Sequence, residues 1–218
     1  MLETIRLGLP ISIVMAAHFA LIFVRLFFAQ APANEAPGSG LPTEAQAASA
    51  DPVGVELSRY APTADYRPIG DFLLSYDGAR RCPRWAIERI DRRTVTRSSD
   101  HERPAFRADP EIPPAYAATN ADYDMSGYDR GHLVCAENMD YAAKAFNATF
   151  VLSNIVPQQP NCNRGVWKAL ESDVRKLALA DGIECVYVLT APAWMPSQTI
   201  QARAAHWSYV RSKCIGRH

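Results

Sequence analysis

The chain has 218 residues and a formal net charge of zero at pH 7, which suits one domain with a sizeable core plus an appendage. A neutral balance gives no bulk positive charge of the kind that marks many nucleic-acid-binding proteins. Five cysteines are present and none forms a Cys-x-x-Cys pair, which argues against a structural zinc site. Their number is odd, and a domain of this size does not call for a disulfide framework.

Residues 1–28 form a hydrophobic segment. Residues 7–24 are free of formal charge, and this run is long enough for a membrane helix. We favour an uncleaved anchor helix that attaches the chain to a membrane, and a targeting sequence is the alternative. Residues 29–53 are rich in Ala, Pro, Gly and Ser, which predicts a flexible linker.

The folded domain is expected over residues 54–218. Apolar runs bounded by turn signals predict strands at residues 71–77, 84–90, 150–158 and 184–192. Apolar residues at helical spacing predict a helix over residues 164–182. Because strands and helices mix without regular βαβ alternation, the sequence predicts an α+β fold with a mixed or antiparallel sheet.

A cluster of arginines follows the first predicted strand. The planar guanidinium suits phosphate, but interleaved acids also permit a surface of salt bridges, and both readings stay open. The cluster comprises Arg80, Arg81, Arg84, Arg89, Arg92, Arg93, Arg97, Arg103 and Arg107.

The tetrapeptide 129–132 places a carboxylate, a guanidinium, a glycine and an imidazole directly before the apolar pair Leu133-Val134. Asn163 stands at the start of the predicted helix, and Glu171 follows on a shared side, about 80° away. The rise of about 12 Å between them is too large for easy direct ligation of one ion by both. Direct ligation by Asn163, with Glu171 holding a metal-bound water, fits this spacing and suits magnesium.

Together these motifs resemble the DNA/RNA non-specific endonucleases with a β-β-α metal-finger site, most closely the endonuclease G branch. The resemblance spans roughly residues 57–216 and implies a metal-finger nuclease core. It is carried by Asp129, Arg130, Gly131, His132, the segment Asn154-Ile155-Val156-Pro157-Gln158, Asn163, Trp167 and Glu171.

The resemblance implies a role for each matching position. His132 matches the general base that activates water, and Asn163 matches the direct ligand of Mg²⁺, with Mn²⁺ as an alternative ion. Glu171 matches the residue that positions the waters of the metal. Asn154 matches an asparagine that supports the site or the substrate, and Arg130 matches the motif arginine near the phosphate.

Substrate contacts are expected from arginines upstream of the tetrapeptide. We choose Arg103 as the further phosphate-binding residue, with Arg97 and Arg107 as additional candidates. The implied activity is magnesium-dependent hydrolysis of DNA and RNA with little sequence preference. The implied location is mitochondrial, at the inner membrane or in the intermembrane space, with a secretory membrane or secretion as the alternative; a homodimer is also open.

The resemblance also predicts that the nuclease domain is incomplete at its C-terminus, because the family pattern continues past the position of His218. A non-catalytic remnant that binds nucleic acid or a partner is therefore the rival hypothesis. The presence of His132, Asn163 and Glu171 favours an active nuclease.

Overall fold

A computed structural model describes residues 11–17, 20–30, 57–96, 101–193, 198–201 and 206–209. Strands and short helices alternate irregularly along these ranges, and the longest helix follows the seventh strand. In chain order the elements are β1 (Ile11–Ala17), β2 (Ala20–Gln30), β3 (Arg67–Ile69), β4 (Phe72–Asp77), β5 (Cys82–Asp91), α1 (Arg92–Thr96), α2 (Asn120–Tyr123), β6 (Asp129–His132), α3 (Ala143–Ala148), β7 (Ile155–Gln158), α4 (Lys168–Ala178), β8 (Ile183–Ala193), β9 (Gln198–Gln201) and β10 (His206–Tyr209).

The largest sheet has six strands in the order β1-β2-β8-β5-β4-β3, and each neighbouring pair is antiparallel. β4 and β5 form a hairpin whose turn begins at Asp77, where a carboxylate oxygen accepts the backbone N–H groups of Ala79 and Arg80. The strands expected at residues 71–77, 84–90 and 184–192 are confirmed. The mixture of helices with antiparallel sheets confirms the α+β class.

The N-terminal segment differs from the sequence expectation. The expected anchor helix is absent from residues 11–17 and 20–30, which form the β1–β2 hairpin, and β2 pairs with β8. Valine, isoleucine and phenylalanine favour strands, and β8 offers β2 a full edge of backbone partners. Within the described ranges, no helix combines the length and apolar character needed to cross a bilayer. The predicted linker over residues 29–53 lies outside the described residues beyond Gln30.

The helix α4 packs on one face of the large sheet. Val174 and Ala178 of the helix join Ile90, Val186 and Val188 of the two central strands in one buried cluster. Burying each large aliphatic side chain contributes about 1.5–3 kcal/mol. This contact fixes the helix, and with it the residues that precede it, against β5 and β8.

The opposite face of the sheet is also covered. Trp85, Ile87 and Leu189 are buried there, and the ring of Tyr60 stacks on Tyr187 with centroids 4.5 Å apart. Both faces of β5 and β8 are therefore buried. The two strands form a rigid platform for the smaller elements on the α4 side.

Candidate active site

A two-stranded ribbon and α4 carry the predicted site residues. β6 holds the tetrapeptide 129–132 and pairs with β7 in antiparallel register, His132 opposite Ile155 and Asp129 opposite Gln158. After β7 the chain makes a π-helical turn, Cys162–Trp167, and continues as α4. This β-β-α order places Asn163 beside Asp129, as a 3.0 Å hydrogen bond between their side chains demonstrates.

The predicted helix over residues 164–182 is only partly correct. The α-helix itself covers Lys168–Ala178, and the π-helical turn precedes it. A π-turn holds more residues per turn than an α-helix, and such turns are frequent at functional sites. The angle expected between Asn163 and Glu171 assumed a continuous α-helix, so that angle does not apply.

The expected strand over residues 150–158 is also shorter than predicted. Only Ile155–Gln158 forms β7, and Leu152–Asn154 forms a 3₁₀ turn. The side chain of Asn154 explains the turn. Its amide oxygen accepts the N–H of Val134, and its amide nitrogen donates to the carbonyls of Val134 and Thr149. Asn154 is fully buried and holds the chain that leaves His132.

His132 lies in a box of aromatic rings. Its ring centroid is 5.4 Å from Phe106 and 5.2 Å from Phe150, and the imidazole is 9 % exposed. Burial, with a smaller contribution from the cation of Arg103, lowers the pKa of His132 to about 3. The imidazole is therefore neutral near pH 7 and able to accept a proton. None of the described residues hydrogen-bonds to its Nε2 atom.

Asn163 is held by a carboxylate and accompanied by a cation. Its Nδ2 donates to Oδ2 of Asp129, and Arg164 donates to both oxygens of the same carboxylate at 2.8 and 2.6 Å. Hydrogen bonds from Arg164 and Asn163 outweigh desolvation and lower the pKa of Asp129. Asp129 is thus an ionised acceptor that is already engaged by two side chains.

Glu171 is partly buried on the first turn of α4. Burial raises the pKa of its carboxyl to about 7, while a hydrogen bond to Cys135 and the charge of Arg175 oppose the shift. Arg175 also ties α4 to the turn at residues 136–139, since it donates to Asn138 and Glu137 at 3.1 and 2.6 Å. The carboxyl of Glu171 therefore changes its charge near neutral pH.

His132, Asn163 and Glu171 line one open cleft of about 760 Å³, a volume that includes the solvent at its mouth. Most of the predicted site residues line it, and basic side chains predominate. The lining comprises Arg103, Arg130, His132, Cys135, Ala136, Glu137, Asn163, Arg164, Lys168 and Glu171. The cleft can accommodate a chain of negatively charged groups beside a neutral imidazole.

Two arginines of the cleft rest on aromatic rings. Arg103 lies 5.4 Å above the ring of Phe150. Arg130 lies 5.8 Å from Phe106 and 5.4 Å from Tyr123, and it donates to the carbonyl of Asn120. Packing against rings limits the rotamers of both guanidinium groups and orients them.

The other predicted arginines lie elsewhere. Arg107 is absent from the cleft lining, and its guanidinium donates to the carbonyl of Asn147 at 2.9 Å. Arg97 lies outside the described residues. Much of the arginine cluster forms salt bridges, as one of the two open readings expected: Arg80 with Asp77, Arg81 with Asp122, Arg84 with Asp65 and Arg89 with Asp91.

Three features of the site were not predicted from the sequence. The aromatic box around His132 is formed by Phe106 and Phe150, and no sequence pattern indicated that these rings contact the histidine. The contact between Arg164 and Asp129 was also missed, although a cation directly after Asn163 was a visible hint. The third feature is a buried acid, Glu88 of β5, which accepts a 3.0 Å hydrogen bond from Asn138 and lines a separate small pocket with Cys135 and Glu171.

Comparisons with known proteins identify the family and the relatives that this chain resembles. The sequence profile of the DNA/RNA non-specific endonuclease family matches residues 61–211. Human mitochondrial nuclease EXOG is 34 % identical over 185 residues, 85 % of this chain and 49 % of the relative. Human mitochondrial endonuclease G is 34 % identical over 165 residues, 75 % of this chain and 54 % of the relative. The chain thus spans about half the length of these relatives.

A solved structure supports the same assignment. The crystal structure of the EndoG/EndoGI complex superposes with a TM-score of 0.66 at 32 % identity and covers 73 % of this chain and 71 % of that one. The matched part of the sequence exceeds half of the chain and contains β6, β7 and α4. This chain is therefore a member of the DNA/RNA non-specific endonuclease family.

Proposed function

We propose that this chain is a divalent-metal-dependent nuclease that hydrolyses phosphodiester bonds of DNA and RNA. One observation carries the proposal: a neutral imidazole, His132, shares a basic cleft with the amide of Asn163. Family membership supports the substrate class, and the mitochondrial nucleases EXOG and endonuclease G are relatives. We extend their mitochondrial location to this chain as part of the proposal.

His132 is the proposed general base. Its buried ring stays neutral far below pH 7 because its pKa is lowered to about 3. Its Nε2 is buried and has no hydrogen-bond partner among the described residues, so its lone pair is not engaged by another side chain and the proposed water must reach it as substrate and metal enter the cleft. Transfer of a proton from this water to the imidazole creates the nucleophile, and such a base contributes about 10²- to 10⁴-fold to the rate.

Arg103 and Arg130 are the proposed phosphate ligands. Both line the cleft that contains His132, and both are oriented by aromatic rings. A guanidinium offers paired N–H donors that match phosphate oxygens. Arg107 is instead a structural residue at the bridge to Val151. Because phosphate contacts carry no base information, we expect little sequence preference.

Asn163 and Glu171 are the proposed metal-site residues. An amide oxygen, with a carboxylate that binds through water, is a ligand set that Mg²⁺ accepts, since this ion keeps several of its waters. Among the described residues, no group of three or more His, Cys, Asp and Glu side chains is arranged to hold a metal ion. When bound, Mg²⁺ or Mn²⁺ supplies positive charge to the phosphoryl and leaving oxygens.

Cleavage and binding assays on His132→Ala test the proposal. We expect the wild type to cleave plasmid DNA and a single-stranded RNA, and to stop when EDTA removes the metal. We expect His132→Ala to lose about 10²- to 10⁴-fold in single-turnover rate while filter binding persists. His101→Ala is the matched control, because His101 lies outside the cleft lining.

The rival hypothesis makes a different prediction for the same assays. A non-catalytic remnant would bind nucleic acid, and its slow background hydrolysis would be equal in the wild type and in both variants. A near-normal rate for His132→Ala, in an active wild type, would remove this histidine from the mechanism.

A further inference from the structure

The carboxylate of Asp129 connects two neighbouring residues of the π-helical turn. Its Oδ2 accepts Nδ2 of Asn163 at 3.0 Å and Nε of Arg164 at 2.8 Å, and its Oδ1 accepts Nη2 of Arg164 at 2.6 Å. Asp129 lies on β6, whereas the two donors lie in the turn before α4. The carboxylate therefore joins the strand to the turn.

This contact determines which atom of the Asn163 amide faces Asp129. An ionised carboxylate has no hydrogen to donate, so its partner must be the NH₂ group of the amide. The amide oxygen, on the other branch of the same planar group, is left for the cleft that Asn163 lines. An amide in the flipped orientation would place oxygen against oxygen.

Arg164 fixes the orientation of the Asp129 carboxylate and contributes little to the stability of the fold. Its two N–H groups bind both oxygens of Asp129 in the bidentate geometry that fixes a carboxylate plane. The side chain of Arg164 is 73 % exposed, and exposed ion pairs contribute little to stability. Its removal should therefore alter the orientation of Asp129 while leaving the protein folded.

We propose that Arg164 is a positioning residue for the metal site: it holds Asp129 in the orientation that turns the amide oxygen of Asn163 toward a divalent cation. The inference rests on the proposed function, in which Asn163 is the metal ligand. Residues that orient metal ligands typically change metal affinity by about 10- to 100-fold when they are removed.

The sign of the effect separates this proposal from plain electrostatics. Arg164 is a cation in the same cleft, so Coulomb repulsion alone predicts that Arg164→Ala binds a divalent cation more tightly. The positioning role predicts weaker binding. Lys168 is a matched control, because it lines the same cleft and no hydrogen bond between it and Asp129 occurs among the described contacts of that carboxylate.

Titration calorimetry with Mn²⁺ on the full chain, without nucleic acid, tests the proposal. We expect Arg164→Ala to bind Mn²⁺ about 10- to 100-fold more weakly than wild type, and Lys168→Ala to bind as tightly as wild type or more tightly. Arg164→Lys keeps the charge but loses the bidentate contact, so its affinity should be intermediate. Thermal melts should show that all three variants are folded.

A double variant tests whether Arg164 acts through Asp129. In an Asp129→Ala background, Arg164→Ala should no longer weaken Mn²⁺ binding, because there is no carboxylate left to orient. Arg164→Ala affinity equal to that of Lys168→Ala, or equal weakening in the Asp129→Ala background, would overturn the inference. A wild type that binds no Mn²⁺ would instead refute the metal site of the proposed function.

Discussion

Replacing Gly131 with alanine should damage the active site from a position that touches no substrate. A Cβ atom at residue 131 would lie 2.2 Å from Oε1, 2.7 Å from Cβ and 3.0 Å from Cδ of Gln158. Ordinary contact begins at 3.4 Å, so all three atoms must retreat, the oxygen furthest and the Cβ next. Gln158 is fully buried, so it has little free space to move into.

The displacement of Gln158 must shift the two-stranded ribbon of β6 and β7. The side-chain oxygen of Gln158 could rotate away, but its Cβ is rigidly attached to β7, so relief of that contact shifts the strand against β6. Overpacking of this kind typically costs about 1–3 kcal/mol of folding free energy. His132 follows Gly131 directly and pairs with Ile155 of β7. A misplacement of about 1 Å at a reacting group can cost about 10²-fold in rate.

Urea denaturation and single-turnover cleavage measure both effects. Gly165→Ala is the matched control, since a Cβ there meets nothing within 4 Å; it should be neutral or stabilising by about 0.5–1 kcal/mol. Adding Gln158→Ala to Gly131→Ala removes Oε1 and Cδ and should restore part of the lost stability. If Gly131→Ala is as stable and as active as Gly165→Ala, the close contact with Gln158 does not constrain the site.

Two further predictions concern the carboxylates and the metal ligand. Asn163→Ala should raise the Mg²⁺ concentration needed for half-maximal activity far more than Glu171→Gln, because the first removes the proposed direct ligand and the second the proposed water-mediated one. Mg²⁺ titrations that coincide with wild type for both variants would contradict this. Burial raises the pKa of Glu88 from 4.5 to about 8. Between these two pH values, the Glu88 carboxyl is protonated in the folded state and ionised in the unfolded state. The contribution of Glu88 to the free energy of unfolding is fully present below pH 4.5. It declines by up to about 1.4 kcal/mol per pH unit as the pH rises toward 8. Glu88→Gln should therefore gain stability relative to wild type between pH 5 and pH 8 in urea denaturation, and a constant difference would refute the raised pKa.

Most of the predicted site residues that the structure brings together lie in one contiguous segment of the sequence. Arg130 and His132 of the tetrapeptide line one cleft together with Asn163 and Glu171, because two short strands and a helix leave the chain few ways to connect. The site residues were identified by their match to the family motif, and apolar periodicity predicted only the strand and the helix that carry them. The π-helical turn was not predictable, since no spacing of apolar residues distinguishes it from an α-helical start.

Long-range contacts explain what the sequence left open. The sequence of the arginine cluster does not show whether its members contact phosphate or carboxylates. Arg81 pairs with Asp122 and Arg84 with Asp65, and both carboxylates are distant in sequence from their partners. The apolar run at residues 7–24 suits a helix or a buried hairpin, because hydrophobicity alone does not fix the period. Pairing of β2 with β8 depends on an edge that the chain supplies only after α4.

The aromatic box gives the proposed base its chemistry, and the same burial opposes protonation of that base. The neutral imidazole of His132 is stabilised relative to the imidazolium because Phe106 and Phe150 exclude water and Arg103 adds a nearby cation. Since the folded pKa of about 3 lies below the ordinary value of 6.5, this contribution to stability is present above pH 6.5 and is lost as the pH falls toward 3. A general base needs an unprotonated acceptor nitrogen and a pKa near the working pH; the box provides the first over the whole neutral range and opposes the second, because it holds the pKa of His132 well below 6.5. The cations of the cleft also repel an imidazolium, so the rings and the arginines favour the same neutral state of His132.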